Sequence, residues 1–144
     1  MKRLIFALVA LTFATSAYAG KSVDTSVQDA ALNKLATGTH WTFCSAQPAN
    51  YAGISAVMLI TKTVTAGGGN GFYTLAQGDA GAGSRKVTMA AQTSMTPSAN
   101  GTVTYACIDD GSLLLGCTTV TSQAVTTAQS WNSPTFKFEI GIPQ

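Results

Sequence analysis

The sequence predicts an all-β domain, an antiparallel β-sandwich or jelly-roll-like barrel with one short N-terminal helix, and three observations lead there. Apolar and polar residues alternate in short runs, most clearly Phe136, Phe138, Ile140 and Ile142 against Lys137, Glu139 and Gly141, the period of a strand with one buried face. Turn signals rich in Gly, Asn, Asp and Pro recur roughly every ten residues, as in a sandwich or barrel. Charged residues are 10% of the chain and apolar ones 46%, too apolar for disorder and too poor in Glu, Lys and Arg for helical surfaces. The 144 residues suffice for one domain with its own core, not two.

Residues 1–19 stand apart. Lys2 and Arg3 precede an apolar run from Leu4 to Ala14, and Ala17-Tyr18-Ala19 places small residues before a cut at Gly20. That pattern predicts a cleaved signal peptide. The apolar run is shorter than the roughly 20 residues that cross a bilayer, so no stable membrane anchor is expected after cleavage. Without Lys2 and Arg3, six cations balance six carboxylates. A neutral chain carries no electrostatic footprint for nucleic acid.

Residues 20–39 read as a helical arm. Thr25 and Gln28 have the spacing of a capping box, Val23, Val27, Ala30, Ala31 and Leu35 form one stripe, and Gly38 suits the C-terminal cap. A short Ala-rich helix must pack on something to persist. It either covers an edge or end of the sandwich or docks on a neighbouring subunit.

Residues 40–144 form the sandwich. Trp41–Cys44 is a first strand and Ile54–Thr65 a second, with Ala56, Met58 and Ile60 on one face and Val57 and Leu59 on the other. Gly67–Gly71 is a loop tip, since no Lys-Ser/Thr follows to make a phosphate cradle. Phe72–Leu75 and Arg85–Gln92 are strands flanking a Gly78–Gly83 turn, the latter with Val87, Met89 and Ala91 inward. The centre of the chain is the hairpin Asn100–Thr127. A two-residue turn at Asp110-Gly111 is predicted there, with Val103, Tyr105 and Cys107 on the buried face and Leu113-Leu114-Leu115 covered on both sides. Leu114 and Tyr105 are expected to be buried, and Thr104 and Thr118 to face solvent.

No catalytic, cofactor-binding or metal-ligating residue is assigned. His40 is the one histidine and has no partner at metal spacing. Asp109-Asp110 are the adjacent carboxylates, but Asp suits a turn for backbone reasons, and the spaced oxygens of a calcium loop are missing. No G-x-S-x-G elbow occurs. A non-enzymatic protein without cofactors is expected. Of the three cysteines, the predicted turn sets Cys107 opposite Leu114 and sends Cys117 to the other face. Cys44 can meet either one, and free buried thiols are the preferred reading.

Several segments carry a resemblance: Asp29–Asn33, Cys44-Ser45-Ala46-Gln47-Pro48 with Tyr51, Ser84–Thr88, Ser98–Thr102, Asp110-Gly111-Ser112 with Leu113-Leu114, Ser122–Thr126, and Phe138-Glu139-Ile140 before Pro143. Together they resemble a family of small uncharacterised tailed-phage and prophage proteins presumed to be virion structural components. The similarity spans about Val27 to Gln144. It implies a capsid decoration, spike or tail-associated subunit located in the virion, with copies of itself or virion proteins as partners. The export signal and Cys107 and Cys117 depart from the family's pattern. The signal supports the alternative, an exported adhesion or filament subunit of the periplasm or cell surface.

Overall fold

The computed structural model describes residues 23–67 and 71–141. The expected signal peptide over 1–19, the centre of the Gly67–Gly71 loop and Ile142 lie outside the described residues. The order is α1 (Thr25–Leu35), β1 (His40–Cys44), a 3-10 turn (Tyr51–Gly53), α2 (Ile54–Val57), β2 (Met58–Thr63), β3 (Tyr73–Gln77), β4 (Arg85–Met89), β5 (Gly101–Asp109), β6 (Leu114–Val125) and β7 (Phe136–Ile140). Two antiparallel sheets pack together, a four-stranded one in the order β2-β1-β5-β6 and a three-stranded one in the order β3-β4-β7. The predicted all-β sandwich with one short N-terminal helix is therefore the fold.

Trp41 and Phe43 point from β1 into the space between the sheets. Trp41 meets Phe72, Tyr73 and Phe136 edge-on, and Phe43 meets Trp131 and Phe136, the geometry that aromatic quadrupoles favour. Trp41 Nε1–H donates to the Tyr73 hydroxyl at 2.8 Å, which donates in turn to the Gly38 carbonyl at 3.0 Å. Burial pushes the Tyr73 hydroxyl above its ordinary pKa, partly offset by the Trp41 hydrogen bond, so it keeps the proton it donates. Gly38 sits hard against this centre. A Cβ there would lie 2.1 Å from Ile108 Cγ2 and 3.2 Å from the Tyr73 hydroxyl. Gly38→Ala is accordingly expected to cost about 1–3 kcal/mol through overpacking, read from the midpoint of urea unfolding.

Helix α1 packs mainly on β4, touching β3, β6 and β7 as well. Its cap is Asp24, whose side chain accepts from the Ser26 N–H at 2.8 Å, rather than the expected Thr25. The buried face is also displaced from the predicted stripe. Leu32 and Ala36 enter the core, while Val23 and Val27 are exposed. Gln28, read from sequence as a capping residue, is buried and donates Nε2–H to the Gly83 carbonyl at 2.9 Å. Arg85 adds a two-pronged ion pair to Asp29, at 3.0 Å through Nη2. Gln28, Leu32 and Ala36, spaced four apart, share the inward face, and Val27 lies off it.

Four other expectations are corrected. Ile54–Val57 is a helical turn rather than strand, and β2 begins at Met58. Strand β4 stops at Met89, leaving Ala91 exposed. Strand β6 is an edge strand, so Leu113 is exposed and Leu114 and Leu115 are half-buried. In β5 the register shifts between Val103 and Tyr105, and such irregularity exchanges faces. Val103, Ala106 and Ile108 consequently point inward, Tyr105 is only half-buried, and Thr104 and Thr118 are equally half-buried rather than free.

The hairpin turn differs too. Asp109 pairs with Leu114 and Cys107 with Cys117, which form a disulfide. The predicted two-residue turn needs positive φ at both central positions, but here Gly111 has φ 89° and Asp110 does not share it. Instead Asp110 Oδ1 accepts from the N–H groups of Ser112 and Leu113, at 3.0 and 2.8 Å, and from the Ser112 hydroxyl. The hydrogen bond from the Ser112 side chain, followed by those from the two backbone groups, holds the Asp110 carboxyl below its ordinary range. This longer loop, together with the register shift between Ile108 and Asp109, brings the two cysteines opposite one another.

Candidate functional site

The outer face of the four-stranded sheet carries an open cleft of about 390 Å³. Its floor is built by strand alternation. Register sets His40 beside Asp109 and Thr42 beside Cys107 on β1 and β5, and Thr42 beside Thr61 on β1 and β2. Side chains paired in this way share a face. The chain between β1 and β2 folds over that face as the Tyr51–Gly53 turn and α2, with Asn50 Oδ1 accepting from Gly53 N–H at 3.0 Å. Tyr51, Ala52, Ile54 and Ser55 from this cover, with Met58, make the wall.

Asp109 is the chemical centre. It is 4% exposed, and a carboxylate so buried demands partners. Oδ2 accepts from the Thr42 hydroxyl at 3.1 Å, and Oδ1 accepts from Gly111 N–H at 3.0 Å. His40 Nδ1 lies 3.4 Å from Oδ1 and 3.1 Å from the Thr39 hydroxyl. The Thr61 hydroxyl lies 3.5 Å from that of Thr42.

His40 and Asp109, kept apart in the sequence reading, are therefore brought together, and Asp109 has a role separate from the turn residue Asp110. Thr42 and Thr61 had no distinguishing signal in the sequence, because Thr is abundant on every strand. Cys44 is free and buried on the same face as Thr42. Burial, and secondarily the Asp109 charge, push its thiol up to about 11, which keeps it protonated and unreactive near neutral pH. Among the described residues, no group of three or more His, Cys, Asp or Glu side chains is placed to hold a metal ion. No described helix is long and apolar enough to cross a membrane.

A second feature is an edge rather than a pocket. Strand β6 pairs with β5 on one side alone, and β7 likewise with β4 alone. Between Thr118–Thr121 and Pro134–Lys137 they leave a slot of about 300 Å³. From Leu114 to Val125 the edge has neither a charged residue nor Pro.

The fold and these two features define, among the described residues, a small β-sandwich with a polar cleft and a long, uncharged edge strand. No family model, curated protein or solved structure matches the chain.

Proposed function

We propose that the protein is a non-enzymatic structural subunit that works by associating with copies of itself or with an assembled particle, as a phage capsid decoration, spike or tail-associated protein. The observation that carries this reading is the β6 edge, twelve residues long and without charge. Proteins that must stay apart blunt such edges with Lys, Pro or inward charge. Here the unpaired N–H and C=O groups of a Thr-rich strand stand ready to bond a neighbour. The resemblance to tailed-phage proteins supports placing the subunit in a virion.

The second reading, an exported adhesion or filament subunit, draws on the signal-like pattern of residues 1–19. It uses the same edge in another place. Mass spectrometry of purified particles and of culture supernatant separates the two.

Association itself is tested by sedimentation velocity over a concentration series. The protein is expected to self-associate at high concentration or to bind particles. Thr121→Lys and Thr135→Lys, both at exposed positions beside the slot, should weaken this about tenfold while leaving melting nearly unchanged, since surface substitutions alter stability by roughly 0.5 kcal/mol or less. A strictly monomeric protein that binds no particle, filament or cell surface defeats the assembly reading.

A further inference from the structure

We propose that the cleft over Asp109 is a binding site for a primary ammonium group carried on an alkyl stem. This role is separate from assembly and follows from a buried carboxylate set in a cleft with apolar walls.

Several of its hydroxyls point their oxygens at the cleft. Thr42 donates to Asp109 Oδ2 and Ser55 to the Ala52 carbonyl at 3.3 Å. In these arrangements the two oxygens offer lone pairs to a ligand. Asp109 likewise retains acceptor capacity, since each carboxylate oxygen can accept more than one bond. The Tyr51 hydroxyl and the His40 ring also line the cleft and can donate. The buried Asp109 carboxylate nevertheless repels phosphate and carboxylate ligands. An ammonium group is its complement, having three donors and no acceptor.

Charge points the same way. Asp109 is buried, and among the described residues no Lys or Arg lines the cleft. Lys62 follows Thr61 on β2 and so lies on the opposite face of the sheet. The other described ion pairs engage Asp29, Asp79 and Glu139, away from this face. The carboxylate thus has hydroxyl, amide and imidazole neighbours but no resident alkyl cation. A bare metal ion is a poorer fit, because one carboxylate is the only anionic ligand lining the cleft. Apolar walls from Ala52, Ile54 and Met58 suit an alkyl stem, and the partly exposed Tyr51 ring offers a π face to a cation.

The test titrates the isotope-labelled protein with n-butylammonium chloride, reading backbone amide shifts by NMR. Parallel titrations use n-butanol, sodium butyrate, methyl glucoside and calcium chloride. Saturable shifts confined to Thr42, Tyr51–Ser55, Thr61 and Asp109–Gly111 are expected with butylammonium, and at least about tenfold weaker responses with the others. Ser55→Lys, at an exposed position that would place a resident ammonium in the cleft, should abolish the response in a folded protein. Asp109→Asn should weaken binding at least about tenfold, the scale of one charged hydrogen bond. If Asp109→Asn does not fold, the Ser55→Lys result decides. Absence of saturable butylammonium shifts, an equal response to butanol, tighter binding of butyrate, sugar or calcium, or unchanged binding in folded Ser55→Lys overturns the proposal. None of these outcomes depends on whether the β6 edge associates.

Discussion

Replacing Trp41 by Ala is expected to remove about 3–5 kcal/mol of stability, a large share of the roughly 5–15 kcal/mol that holds a domain of this kind folded. Trp41 is fully buried and joins both sheets. Its ring meets Phe72 and Tyr73 from the β3 side and Phe136 from β7, so truncation opens a cavity bounded by aromatic rings that cannot all close in. Tyr73→Phe isolates the polar part of the effect. It keeps the ring but leaves Trp41 Nε1–H and the Gly38 carbonyl without the hydroxyl between them, at an expected cost of about 1–3 kcal/mol. Urea unfolding followed by tryptophan fluorescence and by circular dichroism measures both. A Trp41→Ala loss below that of Tyr73→Phe would mean that the core is not centred on this ring.

The second large effect is expected from the Cys107–Cys117 disulfide. The bridge closes a loop of sequence separation 10, and constraining such a loop in the unfolded chain is worth roughly 2–3 kcal/mol. Cys107→Ala with Cys117→Ala should lower stability by about that amount relative to the oxidised protein. Thiol counting checks the pairing itself. The native protein should show no reactive thiol, because Cys44 is buried and protonated, and the protein unfolded without reductant should show one. Three reactive thiols after unfolding a freshly purified oxidised sample would contradict the bridge.

The hairpin and the disulfide show how far the sequence could be followed. Strands β4, β5 and β7 were legible from period-two alternation, β1 as the run Trp41–Cys44, and β6 as the returning arm of the Asp110-Gly111 hairpin. The loop length was not. Asp-Gly served a wider turn in which the Asp side chain, not positive φ at Asp110, organises the backbone. The two-residue turn sets Cys107 opposite Leu114; the wider loop and the register shift between Ile108 and Asp109 set it opposite Cys117. The reversal of faces in β5 was equally hidden, since it arises where Val103 pairs with Gln123 but Tyr105 with Thr119, a property of two strands at once. Trp131 escaped notice because it packs on Phe43 from a loop, where no periodicity marks a core residue. Of the cleft, His40 and Asp109 were each visible as chemistry, but only the register of β1 on β5 sets them side by side.

The distribution of charge has a consequence of its own. Asp79 bridges Lys86 and Lys137, whose hydrogen bonds bring its carboxyl down to about 2, and Glu139 pairs with Lys137. Together with Asp29–Arg85 these ion pairs gather around the three-stranded sheet and its helix, while the β6 edge is bare. Added electrolyte shields exposed ions over a Debye length of about 8 Å at physiological strength. It acts mainly on the exposed pairs of Asp79 and Lys137, less on the partly buried Asp29–Arg85 pair, and meets no charge on β6 itself. Backbone pairing and apolar contact there are indifferent to dilute salt, and strongly excluded salts such as sulfate reinforce apolar burial. The proposed association through β6 is accordingly expected to tolerate dilute salt.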